Sequence, residues 1–283
     1  FNNMKVFVVL ALLVASASAG LLSSPIGAGE PIHPRNLPAV LVQREGAEGR
    51  ITNGNDASEG QFPYQVGLSF TSSSGGWWCG GSLISNKWLL TAAHCTSGAS
   101  GVTVYLGATV RTSPKATYSV TSSSFVQHKS YNSVRLSNDI SLIQIPAVSL
   151  SAYINVIELP KISSSYSTYS GQTAIASGWG LVSDSATAVS SKLQYAKLAV
   201  ITNSVCAKTY SSLVVTSNTI CTATPSATST CSGDSGGPLA LDGVLIGVTS
   251  FVSSAGCESG APAGFVRVTS YLDWIKENSG VSY

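Results

Sequence analysis

The chain has 283 residues, of which 44% are hydrophobic and only 10% charged, and its net charge is +2. That length and apolar content can furnish the core of one large or two small domains. A charge so near zero gives no electrostatic footprint for nucleic acid or an anionic membrane surface, and neither is expected as a partner.

In chain order, the first segment reads as an export signal. Met4 is the only methionine, so Phe1–Asn3 read as sequence upstream of the start. Lys5 is followed by the apolar run Val6–Val14 and the small residues Ala15–Ala19. This pattern predicts a signal peptide over 1–19, cut after Ala17 or Ala19, and hence a secreted, extracellular protein. The run is too short to span a bilayer, so no membrane anchor is expected. No Asn-x-Ser/Thr sequon with a permitted middle residue follows, so N-glycosylation is not expected. Residues 20–50 carry four prolines, several glycines and no cysteine. This composition predicts a mobile pro-segment. It ends at Arg50, directly before Ile51-Thr52-Asn53-Gly54.

From residue 51 to about 268, short apolar or alternating runs alternate with Gly, Ser, Asn and Pro. Strands are predicted at Tyr64–Phe70, Trp88–Thr91, Val102–Leu106, Ile140–Ile145, Gln194–Ile201 and Val244–Val248, an all-β pattern of sandwich or barrel type. Only the last segment reads as a helix, with Tyr271, Trp274, Ile275 and Asn278 on one face. The six cysteines are even in number and lack the paired Cys/His spacing of a zinc site, so disulfides are expected and no metal. Fifteen pairings are open from the sequence.

Gly233-Asp234-Ser235-Gly236-Gly237-Pro238 carries the strongest chemical signal. Glycines on both sides of Ser235 free the backbone for a tight turn. Such a turn can aim the amides of Gly233 and Ser235 at one point, where an oxyanion would form. A serine hydroxyl needs a base to become a nucleophile. An imidazole, which titrates near neutral pH, is the usual one. Thr91-Ala92-Ala93-His94-Cys95 supplies it, and Asn138-Asp139 supplies a carboxylate ahead of the apolar run Ile140–Ile143. His128 has no such motif around it and reads as a structural or surface residue. The order His94, Asp139, Ser235 is one of the chain orders of a Ser-His-Asp triad.

On these motifs the chain resembles the trypsin/chymotrypsin-like serine proteases. The resemblance implies an all-β fold of two six-stranded antiparallel β-barrels with a short C-terminal helix, over a protease domain spanning 51–283. It implies a serine endopeptidase acting through an acyl-enzyme, with His94 as base, Asp139 as its orienter and Ser235 as nucleophile. It selects the disulfides Cys79–Cys95, Cys206–Cys221 and Cys231–Cys257. It also implies a zymogen: cleavage after Arg50 would free the α-amine of Ile51 to pair with Asp234, since a buried carboxylate without a partner is costly.

The specificity pocket of this family maps here onto Ser229 at its base and onto Ser250, Phe251, Val252 and Ala263 at its walls. Ser229 is neutral, so Arg and Lys find no counter-charge. Val252 and Ala263 take up room that an aromatic ring would need. An elastase-like preference for small to medium aliphatic residues is therefore expected, with chymotrypsin-like aromatic specificity as the alternative and a non-catalytic binding homologue as the third reading. Ser250–Val252 should also pair with substrate backbone as an added antiparallel strand. Residues 107–124 hold no Asp or Glu. Calcium wants several oxygen ligands including carboxylates, so no cofactor is expected. The expected partners are polypeptide substrates, an activating trypsin-like protease and protein protease inhibitors, and the expected state is a monomer. The overall pattern resembles the digestive proteases of the insect gut.

Overall fold

The computed structural model describes residues 29–37 and 51–283; the expected signal peptide over 1–19 and the expected cleavage site at Arg50 lie outside the described residues. Fifteen strands follow one another: β1 (Pro31–Ile32), β2 (Asn55–Asp56), β3 (Gln65–Ser72), β4 (Gly75–Ser85), β5 (Trp88–Thr91), β6 (Gly101–Leu106), β7 (Ala116–Thr121), β8 (Phe125–Gln127), β9 (Ser141–Gln144), β10 (Thr173–Gly178), β11 (Gln194–Ile201), β12 (Thr219–Thr222), β13 (Pro238–Leu241), β14 (Val244–Ser253) and β15 (Ala263–Arg267). Three helices interrupt or close the series: α1 (Ala93–Thr96), α2 (Asn203–Tyr210) and α3 (Leu272–Ser279).

The strands form two antiparallel sheets. The first runs β7-β6-β3-β4-β5-β9-β8. Its outer strands β7 and β8 are consecutive in the chain, separated only by the 3₁₀ turn Ser122–Ser124. Counted as one bent strand, they make the expected six. The second sheet runs β14-β13-β10-β11-β12-β15, and a further β14–β15 pairing closes it into a six-stranded barrel. Two short strands attach to that barrel: β2 on β11, and β1, from the segment expected to be a pro-segment, on β14. Among the described residues no helix is long and apolar enough to cross a membrane.

Strand alternation supplies each barrel with its interior. In β6 the burial alternates with period two, with Val102, Val104 and Leu106 inward, as a half-buried strand requires. They join Val66, Leu68, Phe70, Leu83, Leu90 and Leu142 in the first core. The second core uses smaller residues, Ala174, Ala176 and Ala196, beside Leu198, Ile220, Leu239, Ile246 and Phe265. Ile51 is fully buried in this second core. Burying side chains of this size stabilises by roughly 1.5–3 kcal/mol each before conformational entropy is counted.

The helices differ from expectation in two respects. In α3 the buried residues are Leu272 and Ile275, next to buried Tyr271, while Asn278 is exposed and donates its amide to the Trp274 carbonyl at 2.8 Å. Helix α2 was not expected. It is held by a Thr202 cap, whose hydroxyl accepts from the Val205 amide, and by the Cys206–Cys221 disulfide that ties it to β12. The other two bonds are Cys79–Cys95 and Cys231–Cys257, and no cysteine is free.

Residues 29–37 depart furthest from the mobile pro-segment that composition suggests. They pack into the groove beside β14, with Ile32 opposite Val252 and Pro31 opposite Ser253.

Candidate active site

Two neighbouring strands bring His94 and Asp139 together. β5 and β9 pair antiparallel with Thr91 opposite Ser141, so the chain leaving β5 and the chain entering β9 meet at one edge. His94 sits on α1, just past that edge, and Asp139 just before it. The Asp139 carboxylate accepts from the His94 amide and from His94 Nδ1, each at 2.8 Å. The Ser250 hydroxyl donates to it at 2.7 Å. Asp139 is fully buried. Burial alone would raise its pKa; the adjacent His94, the hydrogen bonds and nearby His33 outweigh that and hold it down at about 2. The carboxylate is therefore ionised at neutral pH and fixes which His94 nitrogen carries the proton.

Ser250 reaches Asp139 because of an irregularity in β14. The β14–β15 register shifts between Thr249 and Phe251, leaving Ser250 as the extra residue of a bulge. Bulges re-aim side chains in this way beside functional sites.

Ser235 comes from the other barrel, in the turn ahead of β13. Gly233 and Gly236 have φ of 96° and 76°, values that a side chain would resist. The turn is tied down by the Gly80 amide donating to the Ser235 carbonyl at 2.8 Å, across from β4. Among the described residues, the amides of Gly233 and Ser235 donate to no protein group. Ser235 Oγ and His94 Nε2 are both buried and without a hydrogen-bond partner. His94 follows β5 of the first sheet and Ser235 precedes β13 of the second.

Asp234 points the other way, into the protein. Its carboxylate accepts from the Gly180 amide at 2.8 Å and the Cys231 amide at 2.9 Å. Complete burial is the larger effect, and its pKa is pushed up to about 7. Among the described residues it has two donors but no cation.

The expected pocket residues divide between the two faces of β14. Val252 and Ala263 share one buried cluster with Cys231 and Cys257. Ser229 is buried close by in the chain, with its hydroxyl donating to the Thr230 carbonyl at 3.0 Å. Phe251 lies on the opposite face, edge-on to Tyr210 with ring centroids 5.3 Å apart and in a cluster with Cys206 and Cys221. Its contribution to a pocket is thus backbone and support, not a wall beside Val252. His128 packs edge-on to Tyr271 at 5.6 Å, a structural position.

Three residues of this site carry no signal in the sequence. His33 stacks on His94 with ring centroids 4.0 Å apart. Tyr131 places its hydroxyl 3.0 Å from His33 Nε2. Ser232 donates its hydroxyl to the Pro34 carbonyl. None belongs to a motif, and only the folding of 29–37 into the cleft connects them.

Comparison with known proteins bears on the same region. The trypsin family model matches residues 51–275. Serine protease 1 of Drosophila melanogaster is 50% identical over 238 residues, covering 83% of this chain and 88% of its own length. The collagenase of Hypoderma lineatum is 43% identical over 283 residues, covering 99% of this chain and all of its own. A chymotrypsin of Phaedon cochleariae is 36% identical, over 98% of each chain. A solved structure of HL collagenase superposes with a TM-score of 0.75 at 43% identity, over 82% of this chain and 99% of that one.

Proposed function

Since the chain belongs to the trypsin family and is a serine endopeptidase acting on polypeptides, we propose that Ser235, His94 and Asp139 are its catalytic triad, and that it is made as a secreted zymogen cutting after small to medium aliphatic residues. The observation carrying the triad is the buried Asp139–His94 pair with Ser235 on the facing barrel. His94 Nε2 takes the Ser235 proton as the hydroxyl attacks the substrate carbonyl. Asp139 stabilises the imidazolium that results, and the free amides of Gly233 and Ser235 receive the oxyanion. The proton then passes to the leaving amine, and water repeats the sequence on the acyl-enzyme. Labelling of the protein, cut after Arg50, by a fluorophosphonate probe tests this, since labelling needs an activated Ser235. Absence of labelling would favour a binding role without catalysis.

The specificity reading rests on Ser229, Val252 and Ala263. A neutral, buried Ser229 offers no partner to a cationic side chain. Val252 and Ala263 pack in one buried cluster with Cys231 and Cys257, and side chains there take up room that an aromatic ring would need. A series of chromogenic peptides that differ only at the cleaved residue separates this from aromatic specificity.

Activation follows from Asp234. A carboxylate with a pKa near 7 and no cation is poised to receive one, and Ile51 is already buried in the same barrel. The α-amine freed by cleavage after Arg50 would supply it. An activating trypsin-like protease acts in trans, because Ser229 cannot receive Arg50.

A further inference from the structure

The cleft described above is filled by the chain's own residues 30–36, in the direction a substrate strand would take. The Ser254 amide donates to the Glu30 carbonyl at 2.8 Å, Pro31 lies opposite Ser253, and Ile32 opposite Val252. His33 then lies over His94, and Arg35 rests on the Trp77 ring at 4.9 Å. His33 and Pro34 are buried.

Three features set this strand apart from a substrate. Continued past β1, the register would set Pro34, which has no N–H, opposite Ser250, and the Ser250 carbonyl is met instead by His33 Nδ1 at 2.8 Å. From Pro34 the segment curls into a 3₁₀ turn, with the Leu37 amide donating to the Pro34 carbonyl at 3.2 Å. The Ser232 hydroxyl donates to that same carbonyl. The Pro34 carbonyl is thus held by two donors, neither of them the Gly233 or Ser235 amide. A bond wound into a turn is also not extended for attack. Meanwhile His94 Nε2, stacked under His33, has no hydrogen bond to Ser235 Oγ.

We propose that residues 30–36 are a built-in inhibitory strand, which occupies the polypeptide-binding cleft through Ile32, His33 and Pro34 and resists cleavage because the Pro34 carbonyl is drawn out of the oxyanion site. This rests on the reading of Ser235 and His94 as catalytic. Cleavage after Arg50 then acts twice: it frees the Ile51 amine and it unties the inhibitor. A segment joined to its site by a short stretch of the same chain meets it at an effective concentration on the order of millimolar. Once cut loose, it falls to the concentration of the enzyme itself.

The experiment uses protein cut after Arg50 by trypsin, cleared of both the released segment and trypsin, and shown to label with fluorophosphonate. A synthetic peptide of residues 29–37 is titrated against hydrolysis of a chromogenic substrate, and the peptide is then analysed by mass. The expected result is competitive inhibition with Ki below about 1 mM, the concentration at which the tethered strand fills the cleft, and an intact peptide. The His33→Ala peptide should bind at least about tenfold more weakly, through loss of the stack and the Ser250 hydrogen bond. The Pro34→Leu peptide, which regains an N–H and can extend, should be cut after residue 34. No competition up to about 1 mM, equal affinity for the His33→Ala peptide, or ready cutting of the unaltered peptide after Pro34 would each overturn the inference while leaving the triad standing. Failure to label would remove the triad itself, and the inference with it.

Discussion

At the scale of single residues, buried carboxylates dominate the chemistry, and the two here are set in opposite states by their neighbours. Asp139 is held at about 2 by His94 and stays charged throughout the working range. Asp234, with amide donors only, is pushed up to about 7. The sign for Asp234 is that of a raised carboxylate: its contribution to stability is intact below the ordinary pKa near 4 and is lost as pH rises through 7. The uncut protein should therefore lose stability between pH 4 and 7, by at most roughly 4 kcal/mol from this group. Asp234→Asn in the uncut protein should flatten that part of the thermal-denaturation profile, and an unchanged profile would count against the burial argument. For the triad, Ser235→Ala and His94→Ala should each lower kcat by about a thousandfold or more without disturbing the fold, because the two act as a unit. Peptide hydrolysis above about a hundredth of the wild-type rate in either variant would show the assignment to be mistaken.

At the scale of elements, β14 does most to define the site. Its bulge at Ser250 braces Asp139, its next residue supports α2, and Val252 packs with Cys231, Cys257 and Ala263 while pairing with Ile32 of β1. Replacing Val252 by Gly should open space for a ring. The ratio of kcat/KM for Phe over Ala substrates should rise by about tenfold or more, since apolar pockets discriminate by roughly 1–3 kcal/mol per methylene. A flat ratio would mean that Val252 does not limit the pocket. Helix α2 shows where local reading fails. Asn203–Tyr210 buries only Cys206 and Tyr210, so its apolar periodicity is too weak to announce a helix. Its Thr202 cap and its disulfide to β12 hold it instead, and of these only the cap is a local signal.

At the scale of the whole molecule, the proposed activation scheme predicts how cleavage after Arg50 switches the enzyme on. Uncut protein incubated alone should activate slowly, and trace trypsin should activate it rapidly with Ile51 as the new N-terminus. Rapid self-activation, or a different N-terminus, would refute the activation scheme. Docking of 29–37 should also depend on pH. Burial chiefly, with His94 and Arg35 opposing charge and Asp139 favouring it, lowers the docked His33 pKa to about 4, while Tyr131 caps its Nε2. The free segment takes up its proton first, so binding should weaken as pH falls from about 6.5 to 4 and level off below. Calorimetric titration of the peptide into the cut Ser235→Ala protein should show up to about a hundredfold loss. The His33→Ala peptide should show much less, and parallel profiles for the two peptides would assign the effect elsewhere.

The sequence by itself indicated six of the strands, the motifs around His94, Asp139 and Ser235, and a resemblance to the family. Alternation in runs such as Val102–Leu106 is dictated locally by the pleat, and the Gly233–Pro238 turn is written in residues adjacent in the chain. The cysteine pairing was open from composition and fixed only by resemblance, because bonds between distant residues depend on how the strands are laid together. The tertiary structure alone decided that Ser250 reaches Asp139, that Phe251 turns from Val252, and that His33 covers His94. The contacts that decide these points join residues far apart in the chain, 111 positions for Ser250 and Asp139. The proline-rich composition of residues 20–50 argued for mobility, and residues 29–37 overturn that reading by docking on β14. What it could not register was a preformed groove with an open strand edge on β14, against which a short extended piece gains backbone pairing and a stacking partner at once.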